Sequence, residues 1–362
     1  MTDAGASGAE PAEVAPVRQG EELDWPRLET YVRDHVPDLH GDFAVEQFPN
    51  GAANLTYRVR FGDTALVVRR PPFGQLAPGA HDMRREFRAL DGLWRHFDRA
   101  PRPYAFCDDH AVIGADFLVV EYRRGVVAWG HVPASMAYHA DAGRRMGFAV
   151  VDAVADLHLL DPPAIGLGEL GRPAGFVGRQ VAGWSKRWEL VDAGRIPAMA
   201  DVTRRLAEAM PAESTEVSVL HNDVKLDNCQ FDPLNPDRVK SMFDWDMTTL
   251  GDPLVDLGTL LNYWPDPADT AEDRARTPEG LDEMGLPTRA EVVARYAERT
   301  GFDVAATPWF EAFATWKTIV VLEQLYQRYL RGESTDPRMV ELGVPGPPMA
   351  GRVARLLTAI GA

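Results

Sequence analysis

Cysteine is scarce in this 362-residue chain: Cys107 and Cys229 are the two that occur, and neither belongs to a CxxC pair. A disulfide framework and a cysteine zinc site are therefore not expected, and a reducing compartment suits the composition best. The first residues lack the basic and then apolar segments of a signal peptide, and no apolar run is long enough to span a bilayer. We expect a cytoplasmic protein that does not enter membranes.

Positive charge is also in short supply. Lys and Arg number 38 against 54 Asp and Glu, which gives a formal net charge of −16. A field of that sign disfavours nucleic acids and anionic membrane surfaces as partners. The 45% of hydrophobic residues is ordinary for a globular protein, and a chain of this length exceeds what one simple core usually organises. We therefore expect two lobes.

A strand-rich block is predicted to follow a disordered tail. Residues 1–22 are rich in Ala, Gly, Glu and Pro and show no periodicity, which is typical of disorder. From Leu55 to Phe61, apolar and polar residues alternate with the period of a half-buried strand, and Thr64 to Arg69 forms a second run after a Gly-Asp turn. Phe43 to Phe48 is a candidate partner strand, joined to them through an Asn-Gly turn.

Helical periodicity begins at Met83 and continues as one apolar stripe to Phe97. A short apolar strand from Phe117 to Tyr122 follows, and the pattern beyond about residue 126 is mostly helical. We accordingly predict an N-terminal lobe of residues 23–122 and a C-terminal lobe of residues 123–362. The polar residues 265–287 are predicted to be a charged surface insertion within the second lobe.

The segment from His221 to Asn228, HNDVKLDN, carries the strongest chemical signal. Phosphoryl transfer to an alcohol needs a carboxylate that accepts the hydroxyl proton and oxygen ligands for magnesium. Asp223 and Asn228 supply both from one loop, in the H-x-D-x-x-x-x-N pattern of kinase catalytic loops. The alternative is that these two residues only cap turns, as Asp and Asn often do.

A second carboxylate follows at the spacing that a kinase requires. Sixteen residues beyond Asn228 an apolar run ends in Asp244, where kinases carry the metal-binding aspartate of D-F-G. A solvent-exposed aspartate at a strand end is the alternative. Only seven residues separate Asp244 from Asp252, and no A-P-E triplet follows, so there is no room for the segment that presents a peptide substrate. The pattern favours a small-molecule kinase with Asp223 as its base.

Two longer strings carry a family resemblance. HNDVKLDN followed by FDWDMTTLGDPLVDLG resembles the aminoglycoside phosphotransferase and choline kinase superfamily, and NGAANLTYRVRFGDTALVVRRPP is similar to its branch related to the kinase domain of acyl-CoA dehydrogenase fusions. The resemblance covers roughly residues 26–330. It implies an α+β, protein-kinase-like fold with two lobes. The first would be a nucleotide-binding antiparallel sheet with one main helix, and the second a larger, mostly helical catalytic and substrate lobe.

The resemblance also implies roles for individual residues, with ATP and Mg²⁺ as cofactors. Asp223 would be the catalytic base, and Asn228 and Asp244 would bind magnesium. The residues implied to bind the nucleotide are Gly51, Ala52, Ala53 and Asn54 in a loop between two strands, Arg69 on a strand, Glu86 on a helix, and Glu121 and Arg123 at the hinge. The residues implied to brace the catalytic loop are His221, Asp252 and Asp256.

Several of these assignments leave alternatives open. The loop at Gly51 is also compatible with a plain hairpin, and Glu86 with an exposed glutamate beside arginines. Arg69 and Arg70 are adjacent, so only one of them can face the cleft, and Arg69 aligns with the strand lysine of kinases.

The expected acceptor is a small hydroxylated molecule. Residues 175–189, GFVGRQVAGWSKRWE, resemble a helix of the acyl-CoA-dehydrogenase-linked branch, which favours a hydroxy acid or a hydroxyacyl-CoA. An aminoglycoside or amino alcohol is the alternative acceptor. A catalytically silent nucleotide-binding module is the alternative of another class, because Arg69 replaces the usual lysine. The oligomeric state stays open.

Overall fold

An antiparallel sheet forms the N-terminal part of the computed structural model, which describes residues 13–49, 54–74, 82–192, 194–274, 277–333 and 337–362. Its strands are β1 (Phe43–Gln47), β2 (Leu55–Phe61), β3 (Thr64–Arg70), β4 (Pro103–Cys107) and β5 (Phe117–Glu121). The accompanying helices are α1 (Trp25–His35), α2 (Met83–Leu93) and α3 (His110–Ile113). The strands lie in the order β1–β2–β3–β5–β4, and every pairing is antiparallel. The predicted antiparallel sheet is confirmed, whereas the prediction of one main helix is wrong, because α1 and α2 each contain 11 residues.

Alternation along the strands gives the sheet two different faces. Tyr57 and Val59 of β2 and Val68 of β3 are fully buried in a cluster that also includes Leu28 of α1. The residues between them point the other way because successive side chains of a strand alternate. Arg69 is one of these, and it lines a cavity on the opposite face of the sheet. The same period-two pattern that identified the strands therefore separates core from cavity.

Residues 13–22 fall inside the segment that the sequence predicted as disordered tail, and here the structure differs from the prediction. Ala15 forms a β-bridge with Gln47 at the end of β1, and the backbone N–H of Arg18 donates to the Gln47 side chain over 2.8 Å. The Tyr57 hydroxyl donates to the carbonyl of Glu21 over 2.6 Å. These hydrogen bonds connect residues 13–22 to strands β1 and β2, and amino-acid composition alone does not reveal such contacts. Residues 1–12 lie outside the described residues.

The C-terminal part is mostly helical, as predicted. Its helices are α4 (Ala142–His158), α5 (Phe176–Glu189), α6 (Met199–Glu208), α7 (Leu254–Asn262), α8 (Ala271–Arg274), α9 (Arg289–Thr300), α10 (Thr307–Leu330) and α11 (Gly346–Ala359). Its short strands are β6 (Val126–Val127), β7 (Ser218–Leu220), β8 (Cys229–Asp232), β9 (Asn235–Met242) and β10 (Thr249–Gly251). Among the described helices, none is both long and apolar enough to cross a bilayer.

Strand pairing in this part gathers the segments that carry chemistry. In the β8–β9 hairpin, Cys229 pairs with Met242, so the residues just before β8 and just after β9 are neighbours. Those residues are Asn228 and Phe243, and the backbone N–H of Phe243 donates to the Asn228 carbonyl over 2.9 Å. Asp244 comes next. Two strand ends thus bring Asn228 and Asp244 together although sixteen positions separate them in the sequence.

Buried ion pairs hold much of segment 265–287 against the helices. Arg289 contacts the Asp269 carboxylate at 2.5 Å, and Arg352 of α11 reaches the same carboxylate at 3.4 Å. Arg355, also of α11, contacts Asp273 at 2.7 Å. Asp269 and Asp273 are both buried, so these charges are compensated within the protein. The division of the chain at residue 123 stays a prediction.

Close packing of α7 on α10 generates a prediction about stability. A Cβ atom at Gly258 of α7 would lie 2.4 Å from the carbonyl oxygen of Phe310 on α10. Because the obstructing atom is backbone, we expect Gly258→Ala to lower the free energy of unfolding by about 1–3 kcal/mol. Urea unfolding checks this. Gly183→Ala is the matched control, since Gly183 is also helical but has open space around it. That change should stabilise by up to about 1 kcal/mol, and equal effects of the two would contradict the packing argument.

Candidate active site

A cavity of about 560 Å³ lies between the β-sheet and the segment that follows β7. Its lining includes most of the residues that the sequence predicted to bind nucleotide or metal: Asn54, Arg69, Glu86, Glu121, Arg123, Asn228 and Asp244. Gly51, Ala52 and Ala53 lie outside the described residues. Elements far apart in the sequence therefore contribute side chains to one site.

Asp223 is not among the residues that line this cavity, but it is in direct contact with Asn228, which is. The Asn228 side-chain Nδ2 donates to both the Asp223 carboxylate Oδ2 at 2.9 Å and the Asp223 backbone carbonyl at 2.8 Å. With its nitrogen occupied in this way, the Asn228 amide offers Oδ1 as the acceptor available to a cation. The Asp223 side chain stays 24% exposed, so an approaching hydroxyl group can reach its carboxylate.

Asp256 braces the loop that carries Asp223. Its carboxylate is fully buried and accepts the backbone N–H groups of His221 at 2.6 Å and Asn222 at 2.7 Å. His158 of α4 approaches the same carboxylate at 3.1 Å. Burial alone would raise the pKa of Asp256, but the contact with His158 and the neighbouring imidazole of His221 bring it below its usual value. Asp256 is thus an anionic clamp on the loop backbone.

His221 also contacts this part of the site. The His221 Nε2 atom lies 2.7 Å from the carbonyl of Phe243, which ties the loop after β7 to the end of β9. The Asp252 carboxylate instead accepts the backbone N–H of Leu254 at 2.9 Å, at the start of α7, so its predicted contact with the catalytic loop stays a prediction. His221, Asp252 and Asp256 are not among the residues that line the cavity.

Two residues of the site have left-handed backbone conformations. Asn222 has φ of 69° and Asp244 has φ of 68°. Asn and Asp adopt this region more readily than other residues with a Cβ atom, but it is still uncommon. Each lies at the point where the chain turns sharply out of a strand, and in Asp244 the turn keeps the carboxylate 25% exposed beside the cavity.

Arg69 bridges the sheet, α2 and the segment after β9. Its Nε lies 3.2 Å from Glu86 Oε1, and one terminal nitrogen donates to Asp244 Oδ1 over 2.6 Å. Arg70 instead bonds to the carbonyls of Pro71 and Ile113, away from the cavity. Burial would lower the pKa of Arg69, but the surrounding carboxylates raise it, so its charge is retained. Arg69, not Arg70, is the cation at the cleft.

Glu86 is buried rather than exposed. It is 1% accessible, and burial raises its pKa while the Arg69 charge opposes that shift. Its Oε2 atom has no hydrogen-bond partner in the described part of the chain. The sequence alternative of an exposed glutamate beside arginines is therefore wrong.

The carboxylates near Asp244 are suited to a divalent cation. Burial, together with the Asp244 charge, raises the pKa of Asp246 to about 6. For Asp244, burial would also raise the pKa, but Arg69 lowers it. No group of three or more His, Cys, Asp or Glu side chains suited to a metal occurs among the described residues. Magnesium typically takes one or two carboxylates and completes its shell with phosphate oxygens and water, and the oxygen atoms of Asn228 and Asp244 are of the kind that it prefers.

The hinge contributes backbone groups to the cavity. The carbonyl of Arg123 accepts from Gln230 Nε2 at 3.1 Å, and its guanidinium bonds to the carbonyls of Ala100 and Lys240 and pairs with Glu121 at 3.0 Å. The backbone N–H of Arg123 has no hydrogen-bond partner within the described ranges. An adenine acceptor could therefore use that N–H, whereas the carbonyl of Arg123 already accepts a hydrogen bond from Gln230.

Asp246 contacts the cavity-lining residue Asn54, and the sequence analysis did not select it. The Asn54 side-chain nitrogen lies 3.5 Å from its carboxylate Oδ2. This contact joins the start of β2 to the segment after β9. Asp246 was visible in the string FDWD, where a second acidic residue follows the strand-end aspartate, but only the fold shows that it meets Asn54.

Comparisons with known proteins identify the family. Residues 44–299 match the sequence profile of the phosphotransferase enzyme family. Acyl-CoA dehydrogenase family member 11 of Mus musculus is 31% identical over 323 residues, which cover 87% of this chain and 41% of that protein. The chain thus spans about two fifths of the length of this relative.

Solved structures agree on the fold. A Ralstonia eutropha protein provisionally assigned as an aminoglycoside phosphotransferase is 29% identical with a TM-score of 0.78, covering 93% of this chain and 99% of that one. The aminoglycoside phosphotransferase APH(4)-Ia, in complex with AMP-PNP and hygromycin B, shares the fold at 16% identity and a TM-score of 0.57, with coverages of 92% and 99%. The family profile spans most of the chain, and the resemblance seen in its motifs is confirmed. The chain belongs to the phosphotransferase enzyme family.

Proposed function

We propose that this protein transfers the γ-phosphoryl group of ATP to a hydroxyl of a small molecule, with Asp223 as the general base. The observation that carries the proposal is the contact of Asp223 with Asn228, which together with Asp244 lines a cavity large enough for a nucleotide. Both cysteines are buried and unpaired, which supports action in the reducing cytoplasm.

Each residue of the site has a role that follows from its contacts. Asp223 would accept the hydroxyl proton while the acceptor oxygen attacks phosphorus. Asn228 and Asp244 would hold magnesium, which neutralises charge on the phosphates when bound. Arg69, which pairs with Glu86, would bind phosphate oxygens, because a guanidinium group can form two parallel hydrogen bonds with one phosphate.

The acceptor class that we favour is a hydroxy acid or its CoA ester. The similarity to an acyl-CoA dehydrogenase family member supports this choice. On α5 and after it, the basic side chains differ in availability: Arg179 bonds to backbone carbonyls and Arg195 pairs with Glu323, while Lys186 and Arg187 are exposed. An aminoglycoside or amino alcohol is the alternative, supported by the family to which the solved neighbours belong.

A silent nucleotide-binding module is the alternative of another class. What favours it is that Arg69 replaces a lysine and already pairs with Asp244. Against it, a binding module has no physical need for Asp223, Asn228 and Asp244 together. Slow magnesium-dependent hydrolysis of ATP that disappears in Asp223→Asn would exclude the silent module.

Asp223→Asn tests the base. We expect turnover to fall by about two to four orders of magnitude, the usual loss with a general base, while Mg·ATP affinity changes little. Steady-state kinetics and a nucleotide titration measure the two effects. Asp91→Asn, which removes the same charge from an exposed position on α2, should leave both unchanged. Near-normal turnover in Asp223→Asn would remove the base assignment.

Asp244→Asn tests the metal ligand without straining the backbone, because Asn also tolerates the left-handed region. We expect the increase in AMP-PNP affinity that magnesium provides to disappear, as seen by calorimetry with and without the metal. Asp38→Asn is the matched control: Asp38 has φ of 60° and is exposed on the far side of the sheet lobe. An unchanged magnesium effect in Asp244→Asn would contradict the ligand role.

A further inference from the structure

Residues 13–22, here called the N-terminal strap, are attached to the end of β1. Ala15 and Gln47 exchange two backbone hydrogen bonds of 2.8 Å, and the Arg18 guanidinium donates to the carbonyl of Pro49 over 3.1 Å. Pro49 is one of the residues that line the cavity of the candidate active site. The strap is therefore bound to a wall of that cavity.

Glu13, the first described residue of the strap, lines the cavity itself. The Tyr122 hydroxyl donates to its Oε2 atom over 2.6 Å, and a terminal nitrogen of Arg58 lies 3.9 Å from the same oxygen. The other oxygen, Oε1, has no hydrogen bond or ion pair with any described residue, and the side chain is 41% exposed. An ionised carboxylate only accepts hydrogen bonds, so Glu13 can receive a donor group of a ligand.

Strand register places Glu13 at the hinge end of the cavity. Arg69 of β3 belongs to the end that would receive phosphate, and Arg58 of β2 lies opposite Val67 of β3. Val67 is two positions from Arg69 toward the hinge, on the same face of the strand and about 7 Å away. Tyr122 directly follows β5 at the hinge. Because Glu13 contacts Arg58 and Tyr122, it belongs to the hinge end and not to the phosphate end.

The uncharged half of a nucleotide carries donors that suit this carboxylate. Like charges repel, so Glu13 suits the nucleoside rather than the phosphates, and Arg58, the cation that it contacts, is not in the cavity lining. When adenine uses the backbone N–H of Arg123, its ring acceptor and the adjacent amino group both face the hinge backbone. The ribose hydroxyls are then the donors that remain for Glu13.

We propose that Glu13 binds the ribose hydroxyls of the nucleotide, which makes the N-terminal strap part of the nucleotide site. Because Tyr122 already donates to Oε2, Oε1 is the atom assigned to the ligand. The inference rests on the proposed function, since it assumes that ATP occupies this cavity. It adds a residue that discriminates ribose from sugars without hydroxyl groups.

The test compares ATP with 2′,3′-dideoxy-ATP, which lacks both ribose hydroxyls. Calorimetric titrations with magnesium use the full chain as wild type and as Glu13→Ala. We expect the wild type to bind ATP about tenfold or more tightly than the dideoxy analogue, the usual value of a hydrogen bond to a charged group. Glu13→Ala should bind the two within about twofold, with an unchanged affinity for the analogue.

Two controls separate ribose binding from a structural effect. Glu46→Ala removes another carboxylate that contacts Arg58, at 2.6 Å, but Glu46 does not line the cavity. This variant should keep the wild-type preference for ATP. Magnesium tripolyphosphate, which has no nucleoside, should bind equally to wild type and Glu13→Ala.

The proposal is overturned if the wild type does not distinguish ATP from the dideoxy analogue, or if Glu13→Ala keeps the wild-type preference. Equal weakening of both ligands in Glu13→Ala, or loss of the preference in Glu46→Ala, also overturns it. Failure of the proposed function looks different, because wild-type binding of magnesium and ATP would then be absent, or ATP turnover would be independent of Asp223. Failure of the ribose assignment alone leaves both intact.

Discussion

The site depends on the hydrogen bonds that the buried carboxylate of Asp256 accepts. It accepts two consecutive backbone N–H groups, from His221 and Asn222, and its remaining contact is with His158. A carboxylate can be held ionised in a fully buried position only when such bonds compensate its desolvation. The bonds in turn fix the backbone just where Asn222 adopts its left-handed conformation. The direction in which Asp223 leaves the loop follows from this clamp.

The balance of charges across the cleft is a second constraint on the structure of the site. Asp244 and Asp246 lie close together in a partly buried setting, and their mutual repulsion is visible in the raised pKa of Asp246. Arg69 offsets part of that charge from the sheet side, and Glu86 fixes the direction of Arg69. Because these contacts join β3, α2 and the segment after β9, the cavity is held by the same charges that would receive magnesium and phosphate.

Local spacing was enough to predict part of this protein. Asp223 and Asn228 belong to one loop, and the alternation in β2 and β3 is a property of consecutive residues, so neither needed knowledge of distant contacts. In contrast, α1 and β4 were not anticipated, and residues 13–22 were expected to be disordered, because their stability comes from partners elsewhere in the chain. Tertiary structure alone decided that Arg69 meets Asp244, 175 positions away. The physical reason is that electrostatic partners are chosen by distance in space, which strand pairing and helix packing set and sequence separation does not.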